Sequence, residues 1–195
     1  MANTPSPDSS QPGPLERLSS SQRALLRIAC WVAWADGDFA REERQLLEQV
    51  VARTLPAAGP VTATAEAVAS LAAENAEAVA ALVASPLGQV DPRQLVADLE
   101  GPEARLQAVK LAVLMMGSNR LPGDTTAINP AEKAAYRRLL EALALPEAEV
   151  AEAEWAARQE LERPRSLLER LTDILGGFGA WPALEGSELP LGYWL

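Results

Sequence analysis

Apolar positions along this chain recur at intervals of three and four residues, and nowhere do they alternate as a half-buried strand requires. Leu18, Leu25, Ile28, Val32 and Ala35 form one stripe, and Trp31 and Trp34 widen it, so the second half of that segment is expected to be buried on most sides. The same reading predicts helices over 15–35, 41–55, 64–83, 92–99, 102–116, 130–144, 146–162 and 164–175. Pro92, Pro102, Pro130, Pro146 and Pro164 stand at first turns, where a fixed φ and a missing N–H suit a helix start. Alanine, leucine, glutamate and arginine, all strong helix formers, fill most of the rest.

The expected fold class is therefore all-α, a single bundle of about seven to eight helices. Residues 1–14, rich in Pro and Ser, are expected to be a disordered arm. Residues 15–162 form the helical domain, and 163–195 a short helix followed by an aromatic, Gly/Pro-rich tail. The core is expected to include Ile28, Trp31, Val32, Leu47, Val50, Leu111, Leu114 and Leu139.

A weak internal repeat divides the bundle into two helix–loop–helix halves. Arg27-Ile28-Ala29-Cys30-Trp31-Val32 aligns with Lys110-Leu111-Ala112-Val113-Leu114-Met115, which sets Asp36 against Asn119. Beyond the break, Phe39, Glu43 and Val50 match Ile128, Glu132 and Leu139 at the same internal spacing. Two such halves suggest a pseudo-symmetric arrangement with the two loops close together.

Composition narrows the chemistry. The 195 residues carry a formal charge of −10 and no histidine, which removes Ser-His-Asp triads, Cys-His pairs and His-ligated metals. Cys30 is the single cysteine, so a four-cysteine zinc site and an intrachain disulfide are excluded, and its place among apolar residues predicts a small core side chain. Without a nucleophile–base pair or a phosphate-cradling Gly-rich loop, no enzymatic activity is expected. A pI near 4.6 opposes nucleic-acid binding. The longest strongly apolar run, residues 28–35, is far short of the roughly 20 residues of a membrane span, and no signal peptide is recognisable, so a cytoplasmic protein is expected.

One stretch is more specific: Ala33-Trp34-Ala35-Asp36-Gly37-Asp38-Phe39-Ala40-Arg41-Glu42-Glu43-Arg44-Gln45-Leu46-Leu47. It resembles the A-x-A-D-G-x-(apolar)-x-x-x-E signature of TerB-like proteins, the tellurite-resistance TerB and DjlA N-terminal group. Ile128-Asn129-Pro130-Ala131-Glu132, with Leu139-Leu140 and the run from Leu143 to Val150, is similar to that family's closing pattern. The resemblance covers residues 18–160. It implies an all-α bundle of two helical halves, a cytoplasmic role in stress or metal-anion response, and acidic loops that bind metal.

Two accounts of the acidic residues stand side by side. In the structural one, Gly37 ends the first helix, Asp36 and Asp38 accept hydrogen bonds at the turn, and Phe39 staples the second helix. Glu42 and Glu43 then complement the macrodipole. In the functional one, Asp36, Asp38, Glu42 and Glu43 offer oxygen ligands to a hard divalent cation such as Ca2+, held weakly. The second loop contributes Asn119, Asp124 or Thr125, and Glu132. It is not an EF-hand, because counting from Asp36 puts Leu47 at position twelve, where a bidentate Glu is needed.

Charge is unevenly spread. Residues 141–162 hold seven acids and only Arg158 as a base, a face suited either to solvent or to a basic partner, whereas 102–140 hold six bases and three acids, an asymmetry that suits self-association. The tail sets Phe178, Trp181, Tyr193 and Trp194 in a Gly/Pro-rich setting. It is expected to cover a groove of the bundle, to bind a partner protein, or to touch a membrane surface peripherally. The function implied by the resemblance is a non-enzymatic acidic helical binding module. The alternatives are a metal-binding or metal-sensing protein and a co-chaperone-type or membrane-peripheral scaffold.

Overall fold

Three serines in a row leave the start of the first helix open in the sequence, and hydrogen bonding between Ser19 and Gln22, the third residue of the first turn, settles it. Ser19 Oγ accepts from the Gln22 backbone N–H at 3.2 Å, and Gln22 Oε1 accepts from the Ser19 N–H at 2.8 Å. This reciprocal box satisfies two donors that a helix start leaves orphaned. The helix expected over 15–35 is consequently divided: a 3-10 turn at Pro14–Arg17, an extended Leu18, then α1 from Ser20 to Ala33 and a closing 3-10 turn at Trp34–Asp36.

The computed structural model describes residues 13–36, 41–54, 65–84, 87–118 and 130–176. The remaining helices are α2 (Arg41–Thr54), α3 (Ala65–Ala84), α4 (Pro92–Val96), α5 (Gly101–Ser118), α6 (Pro130–Leu143), α7 (Glu147–Glu162) and α8 (Leu167–Gly176). The protein is an all-α bundle, with no strand among the described residues.

Helix α5 is the hub. It packs against α1, α6, α7 and α8, and its run Leu111, Ala112, Val113, Leu114, Met115 and Met116 is buried without interruption. A helix apolar on all sides has to be surrounded, and this one is. Its contact with α7 is close because small side chains, Ala104 and Ala108 on α5 and Ala153 and Ala157 on α7, leave the backbones room to approach. At the far end, a Cβ on Gly117 would meet Leu161 Cδ1. Every one of the eight core residues expected from the sequence is buried, and Cys30 is buried with them.

Helix α8 belongs to this core. The sequence sets it beyond the helical domain, with the tail, yet it packs on α2 and α5 and buries Leu171 and Leu175. The disordered arm and the aromatic tail expected over 1–14 and 177–195 fall almost entirely outside the described residues.

Among the described residues, two chain reversals take the left-handed region. Gly101 opens α5 at φ +80°, where glycine is free of Cβ strain. Ala144 ends α6 at φ 51° with its N–H bonded to Leu140 O, an αL cap normally given to glycine.

Candidate functional site

The acidic break after α1 is anchored by its two tryptophans. Trp31 Nε1 donates to Val90 O and Trp34 Nε1 to Val83 O, each at 3.2 Å, so the indoles fix the end of α1 against the last turn of α3 and the chain that follows it. Arg138 of α6 lies 5.6 Å above the Trp31 ring, a cation–π contact from the opposite side. The turn Trp34–Asp36 packs directly on α6.

The first turn of α6 carries Glu132, which is only 6 % exposed. The fold thus brings the turn that ends at Asp36 into contact with the helix that carries Glu132, one residue from each acidic segment. Glu42 and Glu43 occupy the first turn of α2. The side chains of Asp36, Glu42 and Glu43, and all of Asp38, Asn119, Asp124 and Thr125, lie outside the described residues. Among the described residues no group of three carboxylates or thiols is gathered for a metal ion.

A second region was only partly visible in the sequence. On α7 the acids Glu147, Glu149, Glu152 and Glu162 are exposed, as a solvated face predicts. In their midst stands Trp155, 62 % exposed, the one large apolar side chain left to solvent among the described residues. Helical spacing sets it beside exposed Ala148, Ala151, Glu152 and Arg158. The sequence signal was a tryptophan at the polar positions of a helix, off the Ala153–Ala157 stripe that faces α5.

The neighbouring face of α7 is held by a polar triad. Tyr136 Oη donates to Glu154 Oε1 at 2.9 Å, and Arg158 Nη2 donates to Glu154 Oε2 at 2.7 Å. Burial, then the hydrogen bond to Glu154 and the charge of that carboxylate, push the Tyr136 phenol well above the ordinary tyrosine range. The triad lines a cavity of about 780 Å³ between α5, α6, α7 and α8.

No helix among the described residues is long and apolar enough to cross a membrane. No family profile, curated protein or solved structure matches this chain.

Proposed function

We propose that the chain is a non-enzymatic binding module of TerB-like type, and that it docks a basic segment of a partner protein on the outer face of α7. The observation that carries this reading is Trp155, exposed on a helix whose exposed acids Glu147, Glu149, Glu152 and Glu162 outnumber its one base, Arg158. An indole in such a setting offers apolar area and a π-face to an incoming Lys or Arg, while the surrounding glutamates steer it in. Charge selects the occupant. The chain's own residues 177–195 contain Glu185 and Glu188 and no Lys or Arg, so they are not complementary to this face. A cationic segment with apolar side chains is.

The test is a titration with a labelled amphipathic Lys/Leu peptide at physiological salt, followed by fluorescence anisotropy. Trp155→Ala is expected to weaken binding about tenfold or more, as a central aromatic anchor does. Glu152→Lys is expected to weaken it as well and to flatten its dependence on salt. A peptide that binds both variants as it binds the unaltered protein sinks the reading.

A second reading, a weak divalent-cation site, is favoured by the contact between the Trp34–Asp36 turn and α6 with its buried Glu132. A carboxylate on α6 near a turn rich in acids is what a shared oxygen site would use. The stress-related, cytoplasmic setting implied by the TerB resemblance is compatible with either reading.

A further inference from the structure

Most cations on the α7–α8 side of the bundle already have carboxylate partners. Arg158 is paired with Glu154, Arg163 with Glu160, and Arg165 with Asp173 at 2.5 Å. Arg170, on α8, does not follow the pattern. It is only 8 % exposed, forms no ion pair with any described residue, and among the described residues its side chain bonds only through Nη2, to Leu161 O at 3.4 Å and Arg163 O at 2.7 Å. Its Nε is buried without an acceptor. A guanidinium so enclosed carries a desolvation cost that two carbonyls offset only in part.

Arg170 lines the 780 Å³ cavity described above and also a smaller one of about 250 Å³. The larger cavity falls in the size range of small-molecule sites, and its lining is mixed: Val113, Met116, Leu161 and Leu167 together with charged groups. Within it Glu154 is engaged by Tyr136 and Arg158, which leaves Arg170 and Lys133 against Glu162. Lys133 is exposed and has no ion pair among the described residues. Among the described lining residues the unbalanced charge is one positive unit.

We propose that this cavity binds an amphipathic monoanion, a carboxylate on an apolar chain, with its head at Arg170 and Lys133 and its chain along Val113, Met116, Leu161 and Leu167. The guanidinium has the planar geometry that suits a carboxylate, and the lysine adds a second positive charge to the lining. Neither a short carboxylate nor a neutral chain satisfies both kinds of lining residue. Trp155, the anchor of the α7 docking face, does not line this cavity.

The probe is decanoate, titrated calorimetrically into the full chain below its micellar concentration, with 1-decanol and acetate as comparators. Decanoate is expected to bind with one-to-one stoichiometry, and each comparator at least tenfold more weakly. Lys133→Glu, at an exposed position, is expected to weaken decanoate about tenfold while leaving the thermal midpoint unchanged. Arg170→Met removes the charge and keeps the apolar stem; because Arg170 also holds two carbonyls, circular dichroism decides whether that variant is folded, and if it is not, Lys133→Glu carries the test. No decanoate binding, equal binding of decanol, or unchanged affinity in Lys133→Glu each overturns the proposal.

Discussion

Gln22 and Leu175, 153 positions apart, are joined by a buried hydrogen bond in which Gln22 Nε2 donates to the Leu175 carbonyl at 2.7 Å. The same side chain closes the capping box of α1 through Oε1, so one amide serves the first turn of α1 and the last turn of α8. Gln22→Ala removes both bonds and leaves a buried carbonyl without a donor. It is expected to cost about 2–3 kcal/mol in urea unfolding, against about 1 kcal/mol for Ser19→Ala, which removes the cap alone.

Ala144 is an exposed residue at φ 51°, a conformation that costs a side-chain-bearing residue roughly 1–2 kcal/mol. Ala144→Gly relieves it and loses no contact. After the added entropy of the unfolded chain, a net gain of roughly 0.5–1 kcal/mol is expected, read as a rise in the denaturation midpoint at unchanged slope.

The Tyr136–Glu154 pair sets an alkaline limit. The phenol is raised in the folded protein and titrates near 10 when unfolded, so above about pH 10 the unfolded chain releases a proton that the folded one keeps. Stability is complete below that pH and falls as pH rises beyond it. Tyr136→Phe is expected to be less stable at neutral pH by about 1 kcal/mol, yet to decline less between pH 9.5 and 11.5 in thermal melts followed by circular dichroism.

Core and surface aromatic positions separate cleanly. Leu111→Ala, at the centre of α5, is expected to cost about 2–5 kcal/mol, whereas Trp155→Ala is expected to change stability by no more than about 0.5 kcal/mol. Equal effects in urea titrations contradict the division between a packing residue and a docking residue.

For the cation reading, calcium titration is expected to alter tryptophan emission with a midpoint in the roughly 10⁻⁴–10⁻³ M range, with magnesium weaker. Asp36→Asn together with Asp38→Asn is expected to abolish the change. A response that survives this pair of substitutions places the ion elsewhere.

The helices and the core were legible because both depend on local periodicity. The stripe Leu25, Ile28, Val32 and the unbroken apolar run of α5 announce burial without any knowledge of partners. The serine–glutamine capping box was also written in the sequence, but three adjacent serines left its register undetermined until the hydrogen bonds chose Ser19. What stayed hidden depends on distant packing. The burial of Arg170 and Glu132 runs against the habit of charged residues and is set by which helices cover them. The assignment of α8 to the core rests on α2 and α5, more than a hundred residues upstream in one case, and no nearby pattern encodes that.

The bond between Gln22 and Leu175 also sets an order of events during synthesis. Helix α1 leaves the ribosome early, but its capping glutamine and the surface that receives α8 stay incomplete until residue 175 has emerged. From the emergence of α5 onward the nascent chain therefore carries an unsealed apolar seam along α2 and α5, and α8 acts as the closure that ends this vulnerable interval.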